Sequence, residues 1–192
     1  MRRTFISTLR LMAQFAREPV SADMRSAIQR ASALHDTINT KFENVRSLAD
    51  GVLLEFGPSR SHDLALRERI RRWQPQLRAL FIMRGASLKY RLQLPGFVLP
   101  EAVIVSLQAY DERSAQMLES IADGMEGKTP QGETISADSL ALLEQTLELC
   151  RTDESRLLLS EHGATFVPLL RQIDQLTSRL TSQIAMEMVR PD

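Results

Sequence analysis

Apolar residues recur at alternating spacings of four and three from Met24 to Phe56, and nothing else in the chain constrains its fold as much. Met24, Ile28, Ala31, His35, Ile38, Phe42, Val45, Ala49, Val52 and Phe56 form one continuous seam. Such a repeat is the mark of a helix that pairs along its length with another. At 1.5 Å per residue the rod would be roughly 50 Å long, so it needs an equally long partner. Ser21 or Asp23 is placed to cap its start, and Gly57-Pro58 ends it, with Ser59 or Ser61 capping the next helix. From Asp63 to about Gln93 the helical period resumes through Leu66, Ile70, Trp73, Leu77, Leu80 or Phe81, Arg84, Leu88, and Arg91 or Leu92. Pro75 either kinks this second rod near Arg71 or breaks it. Two long helices joined by a Gly-Pro turn predict an antiparallel hairpin, with Trp73 as a core anchor.

The remaining segments also carry helical period. Phe5, Leu9, Met12 and Ala16 share one face of a short helix over residues 4–17, which Glu18-Pro19 ends. Leu94-Pro95-Gly96 stops the second rod, and Phe97 to Leu99 form an apolar connector. Pro100 and Glu101 suit the first turn of a helix that presents Val103, Leu107, Tyr110, Leu118, Ile121 and Met125. Residues 127–136, GKTPQGETIS, read as an exposed flexible loop. Ser136 then caps a helix through Leu140, Leu143, Leu147 and Cys150. A turn or short helix is expected near residues 152–163, and a last helix over 164–189 through Phe166, Leu169 or Leu170, Ile173, Leu176 or Thr177, Leu180, Ile184 and Met188. The fold class is therefore all-α: an elongated antiparallel bundle of about six helices. Residues 1–18 form a basic amphipathic helix and residues 19–192 a single bundle domain.

Charge is distributed in blocks. Nine Lys or Arg against Asp63 and Glu68 give residues 60–100 a balance of +7, whereas residues 101–192 carry −9 and the whole chain sums to zero. The simplest account is internal, an acidic second half packed beside a basic middle; steering of an external partner is the alternative. Residues 1–17 hold four Arg and no acid. Their helix either docks on the domain or leaves a bilayer on its positively charged cytoplasmic side. No apolar run reaches the roughly 18 residues a spanning helix needs, and no export signal is expected, since Arg10 interrupts the first apolar stretch.

Catalytic and ligand motifs are absent from the sequence: no nucleophile elbow, phosphate loop, dinucleotide fingerprint, HExxH or paired cysteines. We therefore expect no catalytic, cofactor-binding or metal-binding residues, no cofactor and no enzyme activity, and leave substrate contacts unassigned. Cys150 lies at apolar spacing and reads as a small core residue. His35 stands on the seam and reads as satisfied by a neighbouring helix, while His62 and His162 are too distant in sequence to complete a ligand set. Gly124, Gly127 and Gly132 are turn glycines; Asp111-Glu112 and Asp153-Glu154 read as solvated charge. Arg67, Arg71 and Arg78, with Arg84 near them, could share a phosphate-binding face, but the neutral total and acidic second half argue against nucleic acid.

The strings ADGVLLEFGPSR (49–60), RIRRWQPQLRALFIMR (69–84) and KYRLQLPGF (89–97) resemble the soluble C-terminal region of bacterial inner-membrane proteins of the fusaric acid resistance (FUSC) or aromatic acid exporter family. The likeness is clearest from about 20 to 125. It implies a component of transmembrane efflux, in which hydrophobic bundles are associated with helical regions at the cytoplasmic face of the inner membrane. This chain departs from that pattern in having no membrane segment, so the resemblance implies a detached or truncated non-catalytic domain with a structural or oligomerising role. Its expected partners are the membrane-embedded part of the same transporter or an adjacent-gene subunit, further copies of itself, and an anionic membrane surface. A free-standing helical interaction module is the alternative.

Overall fold

The computed structural model describes residues 1–18, 24–54, 56–57, 60–92, 100–128, 139–149 and 155–189. Among them all regular structure is helical: α1 (Arg2–Ala16), α2 (Met24–Gly51) followed by a 3-10 turn (Val52–Leu54), α3 (Arg60–Leu92), α4 (Glu101–Glu126), α5 (Ser139–Leu149) and α6 (Ser155–Val189). The expected loop beyond Lys128, the caps at Ser21, Asp23 and Ser136, Pro58, residues 93–99, Cys150 and Asp153-Glu154 lie outside the described residues.

The seam of α3 is as its period predicts, with Ile70, Trp73, Leu77, Leu80, Phe81 and Arg84 all buried. That of α2 is buried from Ala31 to Val52, except at His35, but not at its ends, where Ile28 and Phe56 face solvent. The two helices run antiparallel. Gln74 donates to the Phe42 carbonyl at 2.9 Å, and Arg78 meets Glu43 at 3.1 Å. Neither is the other's sole cover, however. The apolar face of α1 seats against both, Phe5 meeting Trp73 at 6.0 Å and Phe15 meeting Phe81 at 5.6 Å between ring centroids. Helix α6 lies along α3, with Gln76 on Gln183 at 3.0 Å and Arg72 on Glu187 at 2.9 Å. The long partner that the seam required is thus several helices rather than one.

Helix α1 also runs antiparallel to α4. Arg10 pairs with Asp123 and Glu126 at 3.1 and 2.8 Å, and Arg17 with Glu112 at 2.6 Å and with Glu119. Phe5, Leu9, Met12 and Ala16 are buried, with Ile6, Ala13 and Phe15 added to them. The N-terminal helix therefore belongs to the bundle core. The expected internal charge compensation exists, but α4 meets mainly the arginines of α1, while Glu144 and Asp174 are met by Arg171 and Arg113 of the second half itself. Of the basic middle, Arg72 and Arg84 reach acids beyond residue 100, whereas Arg67 and Arg78 turn to α2.

Two prolines are accommodated within helices. Pro75 does not break α3, and α6 runs through Pro168, so the separate short helix expected at 152–163 is merged with the last one. Both prolines are on exposed faces, where the carbonyl that each deprives of a donor can be hydrated. Helix α4 ends on Gly127 at φ 74°, with Lys128 N–H donating to Asp123 O and Gly127 N–H to Gly124 O, the paired bonds of a Schellman cap.

Candidate functional site

Arg84 stands three residues after Phe81 on the buried seam of α3, so its guanidinium is carried into the bundle rather than to the surface; it is 6% exposed. Arg84 is among the residues lining a cavity of about 20 Å³ where α1, α3, α4 and α6 converge. The polar lining is Arg84 and Ser87 of α3, Tyr110 and Asp111 of α4, and Glu18 just beyond α1. An Asp111 Oδ1 lies 3.7 Å from Arg84 Nη1, close enough for charge compensation and too far for a good hydrogen bond. Arg84 Nε and Nη2 are buried with no hydrogen-bond partner among the described residues. Tyr110 donates its hydroxyl to the Leu170 carbonyl at 2.9 Å, and burial pushes its pKa up, so the phenol remains a neutral donor. Glu18 is engaged by Arg30 at 2.5 Å.

The other arginines of the supposed phosphate-binding face are dispersed. Arg67 is as buried as Arg84 and donates from Nε to the Ala49 carbonyl at 2.8 Å near the end of α2. Arg78 is paired with Glu43, and Arg71 lies 3.7 Å from Glu68. The acids Asp111 and Glu112 do diverge around α4 as adjacent helical residues must, but neither is simply solvated. Asp111 faces Arg84, and Glu112 accepts two bonds from Arg17, which hold its carboxylate below the usual range. His35 is half exposed, its ring stacked on Phe81 at 4.9 Å and Nδ1 3.2 Å from Asn39 Nδ2. His62 is exposed. Among the described residues no cluster of His, Cys, Asp or Glu has the arrangement of a metal site.

A second feature lies at the joined end of α2 and α3. The ring of Phe5 marks Trp73 as level with the start of α1, and Glu187 marks Arg72 as level with the end of α6. The first turns of α3, from Arg60 to Arg69, therefore extend past both, by roughly 15 Å at 1.5 Å per residue. On this tip Ala49 and Val52 face inward, while Leu54 and Phe56 are 79% and 86% exposed and Leu48 and Leu53 nearly half exposed. The Arg60 guanidinium lies 5.3 Å over the Phe56 ring.

Comparison of the chain with protein-family models, with curated proteins and with solved structures finds no match in any of the three. No helix among the described residues is long and apolar enough to cross a membrane. The Arg84 cavity had one signal in the sequence, a lone arginine in register with Phe81 and Leu88. Ser87 follows Arg84 by three residues on the same helix, whereas the Tyr110 hydroxyl and Glu18 had no signal, because they reach the cavity only through the packing of α4 and of the end of α1.

Proposed function

We propose that this chain is a non-catalytic helical domain acting in transmembrane efflux, the cytoplasmic-face region of an inner-membrane exporter of the fusaric acid resistance or aromatic acid exporter type. It docks through the hairpin tip on the membrane-embedded part of that transporter. One observation carries the reading: the string 49–60 that bears the resemblance includes the tip's most exposed apolar residues, Leu54 and Phe56. A large apolar side chain that is mostly exposed contributes little to the domain's own core, and is suited to burial in an interface. The test is a photo-crosslinking amino acid at position 56 in bacterial membranes. An adduct with a multi-spanning membrane protein, lost in Leu54→Asp, is the expected result. Adducts only between copies of the chain would favour the free-standing self-associating module, and no adduct at all would remove the docking role from the tip.

A further inference from the structure

We propose that the groove along α1 between Arg3 and Arg10 seats the headgroup of an anionic phospholipid, so that the end of the bundle from which the tip projects rests on a membrane surface. The proposal depends on the reading of the tip as the membrane-docking end of the chain. Arg3, Ile6, Ser7, Arg10 and Leu11 stand at i, i+3, i+4, i+7 and i+8, and so share one face of α1. With Glu126 at the end of α4 they line an open cavity of about 470 Å³. That is the size of sites that hold small organic ligands, roughly 300–1,000 Å³. Ile6 is buried and Leu11 half-buried, while Arg3 and Arg10 are exposed, so the groove has an apolar floor beneath a basic rim.

The charge of this rim is not closed within the described residues. Its one acid, Glu126, is held by Lys128 at 2.6 Å and by Arg10 at 2.8 Å, which keep its carboxyl below the usual range. Asp123 is taken by Arg10 as well, at 3.1 Å. Arg2 donates to the Met125 carbonyl, which brings no charge, and Arg3 is exposed with no partner among the described residues. Four cations therefore meet two acids where α1 and α4 join. A phospholipid answers both halves of the groove, its phosphodiester oxygens facing Arg3 and the Ser7 hydroxyl and its glycerol esters lying on Ile6 and Leu11. A free anion has nothing for the apolar floor. The place in the fold agrees. The start of α1 is level with Trp73, and the tip projects past it by roughly 15 Å. A tip engaged in a membrane-embedded partner carries Arg3 and Lys128 toward the headgroups, where each cation near an anionic surface contributes about fivefold to binding.

The test uses the full chain and vesicles of phosphatidylcholine, with or without phosphatidylglycerol, in a flotation assay at low and at high salt. Arg3→Glu is compared with Arg179→Glu, which makes the same charge change at an exposed position of α6, a helix that does not pack on α1. The expected result is binding only to vesicles that contain phosphatidylglycerol, weakened by salt, and about tenfold weaker in Arg3→Glu than in Arg179→Glu. A second measurement needs no variant. Dihexanoyl phosphatidylglycerol below its micelle concentration should shift the ¹⁵N–H resonances of Ser7 and Leu11 saturably, and inorganic phosphate should not. Equal losses in the two variants would reduce the effect to net charge. Binding lost in Phe56→Ser but kept in Arg3→Glu would move the lipid contact to the tip, and a phosphate response equal to the lipid's would make the groove a free-anion site. Each of these overturns the proposal, as does the absence of binding to anionic vesicles. The vesicles hold no transporter, so these outcomes are separate from the adduct sought at position 56, which can fail while the groove binds lipid and succeed while it does not.

Discussion

The two buried arginines of α3 occupy similar positions and solve different problems. Arg67 is spent on structure: its Nε donates to Ala49 O at 2.8 Å, one of the last carbonyls of α2, where a cation also opposes the negative end of the helix. Its neighbours Asp50 and Glu68 are mostly exposed and would be hydrated if it were removed. Replacing Arg67 by Leu should then cost about 2 kcal/mol, the size of one buried charged hydrogen bond and the carbonyl left behind. Urea denaturation should show a lower midpoint at an unchanged slope, and Arg67→Lys should recover only part of the loss, since a point charge lacks the planar fork. Arg84, by contrast, closes no helix end and has no matched hydrogen bond at Nε or Nη2 among the described residues. The period of α3 placed Arg84 on the buried stripe, so its burial was legible in the sequence; it gave the neighbouring stripe position to Leu66 and left Arg67 to an outer face, whereas Arg67 is more deeply buried than Leu66. What each arginine meets was not legible, because Ala49 and Asp111 come to them from other helices.

At the scale of elements, the helices themselves were legible because each carries its period in its own residues: the buried faces of α1, α3 and α4 include nearly every apolar position predicted for them. Their neighbours were not. Block charges of +7 and −9 state that compensation is available, yet many oppositely charged pairs satisfy the same totals. The pairs that form are set by α1, which is inserted against α2, α3 and α4 and carries Arg10 and Arg17 to the acids of α4. Hydrogen bonds from Arg17 hold the Glu112 carboxyl below its usual range, so this pair stabilises the fold above the ordinary carboxylate pKa and ceases to do so as pH falls through the depressed value. Arg17→Gln should lower stability by about 1–2 kcal/mol at neutral pH, a figure kept small because the pair is about one-third exposed. In denaturant titrations repeated from about pH 7 downward, the difference between variant and wild type should narrow below about pH 4, where free carboxylates protonate. A gap that stayed constant into strong acid would show that Arg17 acts through packing and not through its carboxylate partners.

For the whole molecule, the decisive consequence is that the N-terminal helix and the projecting tip should behave in opposite ways. Phe5, Leu9, Met12 and Phe15 are each at most 5% exposed. At roughly 1.5–3 kcal/mol per fully buried large side chain they contribute on the order of 6–12 kcal/mol. That is comparable with the entire roughly 5–15 kcal/mol net stability of an ordinary domain. A chain lacking residues 1–17 should consequently keep much of its far-ultraviolet helical signal, because each remaining helix retains its own period, while losing cooperative unfolding and binding a hydrophobic dye. Phe56 is as apolar as Phe5, but its ring touches solvent and Arg60 rather than the core. Phe56→Ser should therefore leave Tm within about 1 °C of wild type, a change of the size expected for a surface site, while abolishing any docking through the tip. If both changes proved equally destabilising, the tip would be part of the core and its apolar residues would have no interface to explain. If neither did, the packing of α1 against three helices would not be what holds the bundle together.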